Sequence, residues 1–133
     1  SNAVSRTGKA QRKESTMASF DSPEMLKALD NIEKRNYLVA FEVLVPLAEA
    51  GNPKAQLNLA NLYHLGWGVN VDGKKAVELY HQVAQQNIRE EHLSDLAYHS
   101  LAMIYIMGLP GVEPDCERAA EYSARAKELG FEM

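Results

Sequence analysis

Residues 55–87, AQLNLANLYHLGWGVNVDGKKAVELYHQVAQQN, and residues 97–130, AYHSLAMIYIMGLPGVEPDCERAAEYSARAKELG, are two copies of one pattern. Ala55, Leu59, Ala60, Tyr63 and Gly66 recur as Ala97, Leu101, Ala102, Tyr105 and Gly108 at an offset of 42. After one inserted residue, Gly68, Val69, Asp72 and Ala76 recur as Gly111, Val112, Asp115 and Ala119 at an offset of 43. Self-similarity at this period is the signature of a repeat architecture and outranks every local signal in the chain.

Each copy reads as a helix pair. Ala55, Leu59, Leu62, Tyr63 and Gly66 fall on one face at 3.6 residues per turn, which makes that face core. Ala60 and Ala102 are small enough for close helix approach. Gly66 and Gly108 suit the left-handed position that commonly ends a helix. Asp72 and Asp115 then cap the second helices, expected over 73–86 with Ala76, Leu79, Tyr80, Val83 and Ala84 inward, and over 116–129 with Ala119, Tyr122, Ala126 and Leu129 inward.

Working outward, Ala40, Leu44, Leu47, Ala48 and Gly51 match Ala76, Tyr80, Val83, Ala84 and Asn87 at an offset of 36, a third and partial copy. The longer later step comes from residues 87–96, where an insertion containing IREEH is a candidate functional loop. Ser22-Pro23-Glu24 is a cap, a first-turn proline and an acidic first turn. It opens a helix to about Arg35 with Leu26, Leu29 and Ile32 expected inward. The expectation is an all-α chain of six helices: a basic arm at 1–20, a capping helix with a partial repeat at 22–51, and repeats at 54–87 and 95–130.

Composition agrees with this reading. The 133 residues are 46% hydrophobic and 24% charged, with 5 Pro and 8 Gly, as in an ordinary globular domain. The formal net charge of -4 divides into +3 over residues 1–20 and -7 over the rest. An acidic body lacks the Lys/Arg face that phosphate neutralisation needs, so no nucleic-acid partner is expected. No apolar run reaches the ~20 residues of a bilayer span. Cys116, the single cysteine, excludes an internal disulfide and a Cys-rich zinc site. Ser1-Asn2-Ala3 has the look of a tag-removal scar, and Val4 rather than Met follows it. A removed leader with an exported location, a removed tail, and a native start at Met17 in the cytoplasm all stay open.

Chemistry is sparse. His64, His81, His92 and His99 are dispersed. Glu78 and His81 have a Glu-x-x-His spacing, but without the second such unit that bundle metal sites need, which leaves surface ion pairing as the better reading. There is no P-loop, dinucleotide fingerprint or nucleophile motif, and neither a metal nor a cofactor is expected. The chain reads as not an enzyme.

The stretch PLAEAGNPKAQLNLANLYHLGWGV and its repeat resemble the Sel-one-like repeat (SLR) family, α/α solenoids related to tetratricopeptide repeats, over about residues 37–131. The resemblance implies a short right-handed superhelix of about two and a half repeats, a bacterial source and a noncatalytic adaptor that binds a partner protein or peptide. Its motif residues (Ala55, Leu59, Tyr63, Gly66, Gly68, Asp72 and Ala76, with Ala97, Leu101, Tyr105, Gly108, Gly111, Asp115 and Ala119) build the fold, so function falls to the faces they leave free.

In a solenoid the first helices line the concave side. The face opposite the core stripe offers Asn58, Asn61, His64 and Leu65 in one copy and His99, Ser100, Met103, Ile106 and Met107 in the next. Amides and flexible methionines suit a groove for a peptide or helix. Packing of Met103, Ile106 and Met107 beneath a neighbouring element is the competing reading, as is Trp67 stapling its turn rather than anchoring a partner. The final helix and Phe131 lack a polar cap, so a second copy docking there is a candidate partner. The alternatives to an adaptor are an inhibitor, of regulatory or immunity type, acting on one enzyme or toxin through its acidic surface, and a scaffold for envelope assembly.

Overall fold

The computed structural model describes residues 20–131. The scar and the arm to residue 19 lie outside them. Among the described residues the helices in order are α1 (Pro23–Glu33), α2 (Tyr37–Glu49), α3 (Pro53–Leu65), α4 (Gly73–Ala84), α5 (Leu93–Met107) and α6 (Cys116–Glu128), with a 3-10 turn at Glu90–His92 before α5. Each helix packs mainly on its neighbours in the chain, and α3 also touches α5. This nearest-neighbour stacking is that of a helical solenoid.

Helix starts follow local chemistry. The hydroxyl of Ser22 accepts from the amide of Met25 at 3.2 Å, with Pro23 at the first helical position. Asn52 Oδ1 accepts from the amides of Lys54 and Ala55 at 2.9 and 3.1 Å, ahead of α3. Asp72 and Asp115 do the same for α4 and α6, each accepting at 3.1 Å from the amide three residues on. These carboxylates satisfy helix donors that would otherwise lack partners. Their own amides donate to the carbonyls of Tyr63 and Tyr105, at 3.0 and 2.7 Å, closing the same loop in both repeats.

On the expected stripes, Ala55, Leu59 and Leu62 of α3 and all five positions of α4 are buried, as are Ala97 and Leu101 on α5 and Ala119 and Ala126 on α6, while Tyr63, Gly66, Tyr122 and Leu129 are only partly buried. Helix α3 goes further and buries Gln56 and Leu57 as well, because it is covered from more than one side. Gln56 is satisfied there: its Nε2 donates to the carbonyl of Ala48 at 3.2 Å, and its Oε1 accepts from Gln86 at 3.1 Å.

Three expectations need correction. Leu26 is 53% exposed, and Met25 and Ala28 are fully buried in its place. The inward stripe of α1 therefore centres one position earlier, on Met25, Ala28 and the partly buried Leu29 and Ile32. Gly108 does not adopt the left-handed helical conformation of Gly66 (φ 72, ψ 35). At φ 78 and ψ 162 it is extended, in a region only glycine enters freely. Leu109 and Val112 exchange two backbone hydrogen bonds just beyond it, and that extra turn demands the different exit. Residues 93–96, assigned to the inserted loop, already belong to α5, where Leu93, Ser94 and Asp95 are buried.

The repeats interlock through their turns. A Cβ on Gly68 (φ 81) would lie 2.7 Å from Tyr37 Cβ and 3.1 Å from its carbonyl carbon. Trp67 stacks on the Tyr37 ring at 5.0 Å and 21°, stapling that turn to the start of α2. One repeat later, Gly111 packs against Lys74, and the Gly73 amide donates to the Pro110 carbonyl at 2.9 Å, an approach that leaves no room for a Cβ on Gly73.

Substitution at Gly68 combines backbone strain with a backbone collision, so Gly68→Ala is expected to lower stability by about 3 kcal/mol. Gly51 (φ 96) has nothing within 4 Å of its built Cβ, and Gly51→Ala should cost only the strain, about 1–2 kcal/mol. Urea unfolding followed by circular dichroism measures both, and equal losses would refute the interlock.

Candidate partner-binding face

The surface left free by the interlocked repeats runs along α3 and α5. On α3 the polar residues expected to face a partner are engaged within the protein. Asn58 Nδ2 donates to the Lys54 carbonyl at 2.8 Å, one turn back on its own helix. Asn61 Oδ1 accepts from the hydroxyl of Tyr80 at 2.5 Å, and His64 Nδ1 lies 3.1 Å from the same hydroxyl.

Tyr80 comes from α4 and is fully buried. Its side chain crosses the core stripe and ends between Asn61 and His64, with Ser100 of α5 as a further hydrogen-bonding neighbour. Burial pushes the phenol pKa far up, with Ser100 opposing in part, so the group stays neutral. A neutral tyrosine has one proton, and Asn61 receives it. His64 therefore donates from Nδ1 to the tyrosine oxygen, and its Nε2 is left as an acceptor. Burial also lowers the His64 pKa, which keeps the ring neutral at pH 7.

Beside this network lies a cavity of about 350 Å³, lined by His64, His99, Ser100, Met103, Ile104, Met107, Gly108 and Leu109. The structure thus brings together His64, His99 and Met103 from the expected set. Ile106 stands exposed one turn beyond Met103, while Asn58 and Asn61 do not line the cavity. Met103, Ile106 and Met107 are 38%, 56% and 72% exposed, and Leu65 is exposed on α3. Among the described residues no neighbouring element buries them, and exposed apolar side chains grouped on one helix are a feature of interaction surfaces.

Other expectations resolve simply. His81 sets its ring edge-on to Tyr122 at 6.2 Å and forms no ion pair with Glu78. Phe131 stacks on His99 at 4.3 Å and 18°, folding back on α5. Cys116 is exposed at the first position of α6. The role of Tyr80 escaped the sequence, where it reads as one more core position of α4. Among the described residues no helix is long and apolar enough to cross a membrane.

Two outcomes follow. Tyr80→Phe leaves Asn61 and His64 without their shared partner and should cost about 1–2 kcal/mol in denaturant unfolding. Because His64 binds its proton less readily in the folded chain, acidification from pH 7 through 6.5 and below must draw free energy from folding. Thermal melts at pH 7 and 5 should therefore differ more for the parent than for His64→Gln, and an equal difference would contradict the burial of a neutral ring.

Comparisons with known proteins agree with this architecture. The family model for the Sel1 repeat matches residues 53–88 and 95–131. A crystal structure of a protective antigen present in uropathogenic Escherichia coli strains, displaying an SLR fold, is similar with a TM-score of 0.70 and 28% identity, over 92% of this chain and 24% of that one. A Sel1 repeat protein from Oxalobacter formigenes is similar with a TM-score of 0.57 and 28% identity, over 71% of this chain and 35% of that one. The chain thus spans well under half the length of either structure. No curated protein matches it.

Proposed function

Since the chain belongs to the Sel1 repeat family, whose repeats generally mediate protein–protein interaction, we propose that it is a noncatalytic adaptor receiving a partner polypeptide on the face formed by α3 and α5. The observation that carries this reading is the exposed apolar row Met103, Ile106 and Met107 beside a cavity walled by His64, His99 and Ser100. Flexible thioethers adapt to an apolar side chain, while the Nε2 of His64 offers one directional acceptor. The fixed network behind them means that this wall need not be ordered on binding, which reduces the entropy cost of association.

The family is generally a noncatalytic scaffold, and the site chemistry is consistent with that. The cavity is lined by two imidazoles, one hydroxyl and apolar walls, and His64 is oriented by a tyrosine rather than by a carboxylate.

The test is a pull-down from fractionated cells of the source organism, comparing the parent with Met103→Asp/Met107→Asp. Both positions are exposed, so the variant should keep its helical circular dichroism. A stoichiometric protein retained by the parent and lost by the folded variant is the expected result. Retention of that protein by the variant would exclude this face.

A further inference from the structure

Two histidines and two methionines line the cavity of about 350 Å³ beside the Tyr80 network: His64 from α3, and His99, Met103 and Met107 from α5. The three from α5 follow at i, i+4 and i+8, so Met103 and Met107 are neighbours one turn apart. Side chains on a helix lean toward its N-terminus, which carries Met107 back over the turn that holds Met103. Both residues are exposed, and each thioether is unbranched with three rotatable bonds, so the two sulfurs are free to turn toward α3.

His64 is already arranged as a ligand. Its Nδ1 lies 3.1 Å from the Tyr80 hydroxyl, whose own proton goes to Asn61 at 2.5 Å, so Nδ1 carries the ring proton and Nε2 keeps its lone pair. Among the described residues nothing hydrogen-bonds to Nε2, and the side-chain polar atom that is both sealed and unpartnered is Asp95 Oδ1, so Nε2 is open to the surface. Metal-ligating histidines are held in this way, with the second ring nitrogen donating to a fixed neighbour.

The donors are one neutral imidazole nitrogen and two neutral sulfurs, and no carboxylate lines the cavity. Thioethers are soft and select Cu(I) over the harder divalent ions. Neutral donors leave the charge of an ion uncompensated, and the desolvation cost grows with the square of that charge, which favours a monovalent ion among these apolar walls. Among the described residues no three His, Cys, Asp or Glu side chains converge, so the donor set of a zinc or calcium site is not assembled. We propose that His64 Nε2 and the sulfurs of Met103 and Met107 form a binding site for a soft monovalent metal ion, Cu(I), bordered by His99, whose ring is stacked on Phe131. The set is hidden in the sequence because His64 and the methionines lie one repeat apart. It does not rest on the partner reading: it uses the lone pairs of these side chains and not their apolar surface.

The probe is silver(I) nitrate, an air-stable ion of the same softness, titrated into the full chain carrying Cys116→Ser. Cys116 is exposed and outside the cavity, and its removal eliminates a competing thiol. Nuclear magnetic resonance of isotope-labelled methionine methyls and histidine nitrogens is the readout. One equivalent of silver is expected to shift the Met103 and Met107 methyls and His64 Nε2, while the methyl of buried Met25 stays in place. Met103→Leu/Met107→Leu keeps volume and apolar character but removes both sulfurs, and it should weaken binding at least about tenfold, as should His64→Gln. Cu(I), added without oxygen, should displace silver from the same residues, and zinc(II) should not. Absence of saturable shifts at the two methyls, equal shifts at all 5 methionines, unchanged affinity in either folded variant, or zinc binding as tight as silver would overturn the assignment. Should His64→Gln fail to fold, the parent decides, and an Nε2 signal that silver leaves in place is then the overturning result. The leucine pair keeps the apolar row, so it should retain the partner protein while losing silver, and the two readings fail separately.

Discussion

The closest constraint in the molecule is the seating of each Gly-Val turn on the start of the preceding second helix. Gly68 lies where any side chain would strike Tyr37, and Gly73 lies where any side chain would strike the Pro110 carbonyl to which its amide donates. Helices in a solenoid meet only their neighbours, so the angle and spacing of successive pairs are set at such contacts. With the turns seated, α3 and α5 are brought side by side and their outer surfaces become one face.

That face is divided by what stands behind it. Tyr80 reaches from α4 to the outer side of α3 and engages Asn61 and His64, so the amide and imidazole there are parts of the framework. Met103, Ile106 and Met107 beside it are exposed. The result is a rigid polar wall beside an adaptable apolar row. Burial of Tyr80 raises its pKa and that of His64 falls for the same reason, so the framework is neutral and loses stability as His64 is forced to take up a proton.

The inserted segment before α5 follows a different rule. It adds no motif residue, yet it carries positive φ at Glu91 and His92 and buries the Asp95 carboxylate, one oxygen of which has no hydrogen-bond partner among the described residues. Departures from local preference of this kind concentrate where a chain does something besides fold. Lys54 links this segment to Asp21 at the head of the described chain. Burial would lower its pKa, but hydrogen bonds and charge from Asp21 and Glu91 outweigh that and raise it, so the ammonium ties both segments to the start of α3 across the pH range of ordinary buffers.

The sequence by itself determined the repeat, the helices and their stops, because each rests on short-range physics. A 3.6-residue stripe such as Ala55, Leu59 and Leu62 repeats within one helix, a side-chain cap such as Asp72 acts on an amide three residues on, and the conformational freedom of Gly66 belongs to that residue alone. Of the positions that periodicity put opposite the core stripe, His64, His99 and Met103 share a cavity, while Asn58, Asn61 and Ile106 do not line it. What those positions are engaged in was decided only by tertiary structure. That Tyr80 ends between Asn61 and His64, that α1 turns Met25 rather than Leu26 inward, and that Asp95 is sealed beneath the insertion all depend on which surface a neighbouring helix supplies. Those surfaces come from residues one repeat or more away, and helical periodicity carries no record of them.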